Sequence, residues 1–182
     1  MTGERSGSYI TSSPGHHWSD FDARQAFLKI DAPDIAKNLT PYNASTSMSY
    51  YVFRDDLSSA KPPASPAMMR TVAYYTVIPE HVNDFVGALK KIREVTQKAN
   101  YAPPNPVRWY SLASSGDTPT FVLISDRATW AAMEPPEKTL AAVLKDVDGD
   151  SGPQLLDQLR RSSSRIVTAL QVYRPDLSYI PK

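Results

Sequence analysis

The clearest pattern of apolar and polar positions starts at Thr71 and predicts one strand followed by one helix. The segment Thr71–Val77 is rich in β-branched and aromatic residues, which is typical of a strand. Pro79 then stands where a helix can begin, and apolar side chains recur at helical spacing as far as Thr96. Prolines from Pro103 onward end this helix, because their rings cannot continue its hydrogen bonds.

The remaining pattern completes a six-element order. Val107–Leu112 and Thr118–Ser125 are two further strands, and their close spacing favours an antiparallel hairpin. Thr139–Val147 is helical, and the helical spacing continues through Leu159. Arg165–Tyr173 is the last strand. The order strand, helix, strand, strand, helix, strand is that of the split βαβ, or ferredoxin-like, unit.

Part of this unit occurs twice in the chain. The segment Tyr50–Ser58 returns as Leu170–Ser178, and both copies contain an Arg followed two residues later by Asp-Leu-Ser. Self-similarity of this kind indicates two copies of one structural unit. A second match aligns Tyr9-Ile10 and Trp18 with Phe121-Val122 and Trp130 at one constant offset. By these two comparisons the earlier copy supplies only a second half, with a strand at Ser8–Ser12, a helix at Asp34–Asn43 and a strand at Ser49–Arg54.

We therefore predict an α+β protein in three parts. Residues 1–60 form a partial ferredoxin-like repeat, truncated at its N-terminal side, and residues 61–69 form a proline-rich linker. Residues 70–182 form a complete ferredoxin-like βαββαβ unit. Two helices on one side of a sheet leave its other side bare, so we expect a second sheet to cover it in a dimeric-α+β-barrel-type assembly. For the incomplete half we expect an upstream start, a strand from elsewhere, or poor order.

Composition excludes several function classes. The chain has 182 residues, 41% of them hydrophobic, and a net charge of +1, which recruits neither nucleic acid nor an anionic membrane. It has no Cys, so disulfides, thiolate catalysis and Cys-ligated metals are excluded. No segment approaches the ~20 apolar residues of a membrane span. The first eight residues lack the apolar region of a signal peptide. We expect a cytoplasmic protein, or an exported one if the N-terminus is truncated.

Two further segments carry a family resemblance. The run Trp130–Lys138 and the ending Tyr173–Tyr179, together with the tandem units, resemble uncharacterised bacterial proteins of the dimeric α+β barrel superfamily, in its NIPSNAP-like and antibiotic-biosynthesis-monooxygenase-like groups. The resemblance implies two ferredoxin-like sheets that form a barrel, from two chains or two repeats. It also implies a range of activities that includes cofactor-free monooxygenases and haem-degrading enzymes. The Asn, Trp and His of haem-degrading members have no counterparts here.

Aromatic residues on the predicted strands are the main candidates for ligand binding. A barrel interior could hold a planar, weakly acidic molecule between rings and one cation. The candidate residues are Tyr75, Arg108, Tyr110 and Tyr173. The alternative is that these rings only fill the space between two sheets.

Two types of residue, Arg and Trp, occupy matching positions in the two copies of the repeat. Arg174 and its counterpart Arg54 could bind an anion, or could pair with Asp176 and Asp56. Trp18 and Trp130 are predicted to anchor helical turns on the sheet. The candidate site therefore includes Arg174, and its catalytic residues are unknown.

The other polar clusters favour loops over active sites. His16-His17 and the acidic group Asp146, Asp148 and Asp150 lack the further ligands and spacing of metal sites, so we predict neither a metal nor a cofactor. We predict that the protein binds a small hydrophobic or aromatic molecule without established catalysis. The alternatives are a cofactor-independent monooxygenase acting on an aromatic substrate, and a structural or partner-binding module. A homo-oligomer is compatible with each of them.

Overall fold

The structure is a computed structural model that describes residues 8–103, 105–117 and 119–177. It is an α+β protein, as predicted, and it divides into two compact units. One unit is Ser8–Met48, and the other begins at Ser49 and carries the sheet. Several positions used above lie outside the described residues, namely Pro104, Thr118, the repeated Ser178 and Tyr179.

The Ser8–Met48 unit contains one long helix, α1, at Asp20–Asn38. Asp20 stabilises its start, because the Oδ2 atom accepts the His17 N–H at 2.8 Å. The strand expected at Ser8–Ser12 is wrong: these residues are irregular, and within this unit no described strand could satisfy their backbone groups. The helix expected at Asp34–Asn43 starts earlier and continues through Pro33.

The other unit is built on a five-stranded antiparallel sheet in the order β1-β3-β4-β2-β5. The strands are β1 at Tyr50–Arg54, β2 at Met69–Val77, β3 at Val107–Ser114, β4 at Thr120–Arg127 and β5 at Ser163–Val172. The four strands predicted after residue 70 and the hairpin of β3 and β4 are confirmed. β2 is an interior strand, with β4 on one side and the edge strand β5 on the other.

The strand predicted at Ser49–Arg54 forms, but it extends this same sheet. β1 pairs antiparallel with β3, so that Val52 lies opposite Ser111 and Arg54 lies opposite Trp109. The described residues therefore hold a single sheet, and the second sheet expected from the partial copy is not among them. The physical reason is that β3 would otherwise be an edge strand with unpaired backbone groups, and β1 supplies its partners.

Three helices cover part of one side of the sheet. They are α2 at Val82–Lys98, α3 at Leu140–Asp148 and α4 at Ser151–Arg161. α2 buries Phe85, Ala88 and Leu89 on one stripe, as the predicted periodicity requires. α3 begins at the cap residue Thr139, whose Oγ1 atom accepts the Ala142 N–H at 3.2 Å.

The core lies between α2 and the sheet. Its buried apolar residues are Leu57, Val77, Phe85, Ala88, Leu89, Trp109, Phe121 and Leu159. Leu57 comes from the turn after β1 and is 3% exposed. Burial of a Leu side chain stabilises a fold by about 1.5–3 kcal/mol, so this turn contributes to holding β1 on the sheet.

Candidate functional site

Strand alternation separates the predicted site residues between the two sides of the sheet. Tyr75 lies opposite Phe121, on the side covered by the helices, together with Trp109. Arg108 and Tyr110 precede and follow Trp109, so their side chains lie on the other, helix-free side. The split of Trp109 from its two neighbours was predicted, but Tyr75 had been grouped with Arg108 and Tyr110. The structure does not bring these three residues together in one pocket.

Tyr75 is part of an aromatic cluster in the core. Its ring centroid is 5.4 Å from that of Trp109 and 5.6 Å from that of Phe85, and both pairs are tilted. Phe85 also packs against Phe121, at 5.0 Å. Burial raises the pKa of the Tyr75 phenol above its ordinary value, and the charge of Arg160 offsets only part of that change. Tyr75 therefore stays protonated at neutral pH and acts as packing.

Arg108 is engaged by a carboxylate on the neighbouring strand. Its Nη1 and Nη2 atoms donate to Asp126 Oδ2 and Oδ1 at 2.6 and 2.8 Å. The Arg108 side chain is 6% exposed and that of Asp126 is 19% exposed. Burial lowers the pKa of Arg108, but the hydrogen bonds and charge of Asp126, with a contribution from Tyr110, more than reverse this and raise it. The cation is thus neutralised within the sheet.

The helix-free side also carries aromatic residues that the sequence prediction did not include. Phe53 of β1 lies opposite Tyr110, and their ring centroids are 5.5 Å apart. Tyr74 and Tyr110 both lie opposite Val122, one from each neighbouring strand. The repeat could have pointed to Phe53, since it occupies the position of Tyr173 in the earlier copy.

Tyr173 and Arg174 lie beyond the end of β5. The Tyr173 N–H donates to the Met68 carbonyl at 2.9 Å. Arg174 donates from Nε and Nη2 to the two carboxylate oxygens of Asp176, at 2.8 and 2.5 Å. The interpretation that each repeated Arg pairs with its own Asp is confirmed, because Arg54 binds Asp56 in the same way, at 2.8 and 2.7 Å. These hydrogen bonds hold the pKa of both carboxyl groups below its usual range.

The two tryptophans predicted to anchor helical turns are exposed instead. Trp18 is 61% exposed and Trp130 is 67% exposed. For Trp130 the prediction is wrong because Met133 of the same turn, rather than Trp130, lines the sheet surface described below.

The loop predicted for the acidic group is wrong in part, because Asp146 and Asp148 lie in α3 and only Asp150 lies beyond its end. The three acids near α3 each approach a lysine: Asp146 is 2.7 Å from Lys138, Asp148 is 3.8 Å from Lys91, and Asp150 is 3.9 Å from Lys145. In the part of the chain that the structure describes, no group of three or more potential His, Asp or Glu ligands is placed to hold a metal ion. In that same part, no helix has the length and apolar character needed to cross a membrane.

A cleft lies where the helices leave the sheet uncovered. Its volume is about 440 Å³, and it spans the interior strand β2 and its two neighbours, β4 and β5. The residues that line it are Thr71, Val72, Ala73, Leu123, Met133, Thr168, Ala169 and Leu170. Five of these, at positions 71, 73, 123, 168 and 170, share one side of the sheet by their register. That side is continuous with the core, which explains why the floor of the cleft is mostly apolar.

Met133 forms a wall of the cleft, and a hydrogen bond fixes the short turn that carries it. It lies in a short 3₁₀ turn at Ala131–Met133. The Asn105 Nδ2 atom donates to the Ala132 carbonyl at 3.3 Å and so ties this turn to the segment before β3. The lining contains no titratable side chain, and the Thr71 hydroxyl already donates to the Ser125 carbonyl at 3.3 Å. The cleft therefore offers apolar contact and one further hydroxyl, that of Thr168.

No family model, no curated protein and no solved structure matches this chain. The resemblance to the dimeric α+β barrel superfamily therefore stays a prediction. The geometry of the cleft and of the sheet edges is the guide to function.

Proposed function

We propose that this protein binds a small, neutral, apolar molecule in the cleft on the helix side of the sheet. The observation that carries this proposal is the combination of size and lining. A volume of about 440 Å³ falls within the range of roughly 300–1,000 Å³ found for small-molecule sites. Ala73 lies between Leu123 and Thr168 on the neighbouring strands, and its small side chain leaves room for a ligand to contact the sheet directly.

The charges around the sheet favour a neutral ligand. Arg108 is on the other side and is bound by Asp126, and the Tyr75 phenol is packed in the core. A monooxygenase of the cofactor-independent type would need a group that stabilises a substrate anion. The lining holds no charged side chain, and its polar side chains are the hydroxyls of Thr71 and Thr168. Binding without catalysis is therefore the better-supported of these two functions.

We also propose that the sheet unit has the ferredoxin-like arrangement. Without β1, the strand order is β3-β4-β2-β5, with α2 between β2 and β3 and two helices between β4 and β5. This places the first strand of the unit between the third and the fourth, which supports that arrangement and the superfamily resemblance.

Ligand binding is testable with a cleft-filling substitution. Thr168 lines the cleft from the edge strand β5, where its side chain is exposed, so a larger residue can be accommodated without disturbing the core. We expect that 2-naphthol or 1-octanol binds the wild-type chain in isothermal titration calorimetry and raises its melting temperature. Thr168→Trp should weaken this binding at least tenfold, because the indole occupies the space.

The matched control is Thr168→Val, which keeps the side-chain volume and leaves the cleft open. Its affinity for the bound probe should stay within about twofold of wild type, since little hydrogen bonding is lost. Equal binding to the wild type and to Thr168→Trp would place the probe elsewhere and overturn the proposal. Failure of both probes to bind the folded chain would also overturn it.

A further inference from the structure

The chain contains the same turn twice, and the two copies have the same local geometry. In each, an Arg donates twice to the Asp two residues later, and the following Leu N–H donates to the Arg carbonyl at 3.1 Å. The first copy is Arg54–Leu57, which begins at the last residue of β1. The second is Arg174–Leu177, two residues after the end of β5. The ion pair closes the turn and presents the Leu side chain.

The surroundings of the two turns differ. Leu57 is 3% exposed and belongs to the core with Trp109, whereas Leu177 is 62% exposed. The first turn also binds the edge of β3: the Ser58 hydroxyl accepts the Trp109 N–H at 2.8 Å, and the Ser59 N–H donates to the Val107 carbonyl at 3.0 Å. In the first copy, the strand and its turn together pair with an antiparallel strand, and the turn's Leu packs in the core with that strand's aromatic residue.

The same combination of strand and turn occurs at β5, at an edge of the sheet with no described partner strand. β5 is the last strand in the sheet order, so no described strand pairs with its outer side. Ile166 and Val172 are 41% and 47% exposed, and Arg165 is the only charged residue among the ten of this strand. An edge strand of this length with one charge and no Pro is suited to pairing with another strand.

We propose that the β5 edge and the Arg174–Leu177 turn form a docking site for an antiparallel β-strand of another polypeptide. The β1–β3 pairing defines its chemistry: a strand that, like β3, carries an aromatic residue at the position opposite Arg174, as Trp109 lies opposite Arg54. The Arg174 charge is paired within the turn by Asp176, at 2.5 Å, so the turn does not require an acidic partner strand. The β3 strand of a second copy does not fit, because β1 already covers its outer edge.

The probe is a fluorescein-labelled peptide with the sequence of residues 105–114, which contains β3. We expect the full chain to bind it in fluorescence polarisation, and β5 amides to gain protection from hydrogen exchange. Leu177→Asp should weaken binding at least tenfold, because it places a charge where the aromatic ring docks. Replacing the Trp in the peptide by Ser should have a similar effect. Leu177 is exposed, so the variant keeps its fold, which circular dichroism verifies.

The control is Val147→Asp, which puts the same charge at an exposed apolar position of α3 and should leave the affinity unchanged. Three results would overturn the proposal. The first is that the peptide does not bind the folded chain. The second is that Leu177→Asp binds the peptide as well as the wild type does. The third is that the β1 amides lose protection from hydrogen exchange, which means that the peptide displaces β1. A dimer of the chain alone that Leu177→Asp dissociates would make a second copy the occupant and reject a separate partner.

Discussion

At the scale of single residues, Gly152 fixes how closely α3 and α4 approach. It is buried in the first turn of α4, and a Cβ atom added there would overlap the backbone carbonyl of Leu144. The obstacle is backbone rather than a flexible side chain, so it cannot move aside cheaply. Gly87 in α2 offers a comparison, because nothing lies within 4 Å of the position of its Cβ.

This contrast leads to opposite predictions for the same substitution. Gly152→Ala should lower the free energy of unfolding by about 1–3 kcal/mol, through overpacking between the helices. Gly87→Ala should raise it by about 0.5–1 kcal/mol, because Ala loses less conformational entropy in an exposed helix. Urea denaturation followed by circular dichroism measures both changes. If the two variants were equally stable, the close approach of α3 and α4 would be disproved.

At the scale of elements, the pair Arg108–Asp126 connects β3 to β4 in a nearly dry environment. Asp126→Ala leaves the Arg108 charge without its partner, and loss of one member of a buried pair costs about 3–5 kcal/mol. We expect a loss toward the lower end of that range, since Asp126 is 19% exposed. The double variant Arg108→Met, Asp126→Leu should recover most of the stability.

The exposed pair Arg174–Asp176 is the control for that experiment. It has the same two-point hydrogen bonding, but its side chains are 51% and 56% exposed, so Asp176→Ala should change the unfolding midpoint in urea very little. If both Asp→Ala variants lost the same stability, burial would not be what distinguishes these pairs.

The elements that the sequence predicted well are those with a repeating pattern. α2 and the strands from β2 onward have a periodicity that their own residues determine, and the structure has them within a few residues of the predicted bounds. The segment Ser8–Ser12 was misjudged because similarity to β4 was its only support, and a strand also needs a neighbour. The interpretation of Trp130 failed for a related reason: its residue type indicates burial, but the turn decides which side chain meets the sheet.

At the scale of the whole molecule, the candidate site could not be predicted from the sequence. Alternation correctly separated Arg108 and Tyr110 from Trp109, but it could not say which side the helices would cover. That choice put Tyr75 in the core and left Ala73 and Thr168 at an uncovered end of the sheet. Small and hydroxyl-bearing residues such as these do not predict a cleft from sequence, because the cleft depends on which strands lie beside them.

The pairing of β1 with β3 is the central claim, because it joins the repeated segment to the sheet and leaves β5 as the open edge. The chain has no Cys, so two introduced thiols report on this pairing alone. Val52→Cys with Ser111→Cys places them at partner positions, whereas Val52→Cys with Leu112→Cys places them on opposite sides of the sheet. Mild oxidation followed by mass spectrometry should show a disulfide in the first variant and free thiols in the second. Free thiols in the first variant, or equal cross-linking in both, would contradict the account.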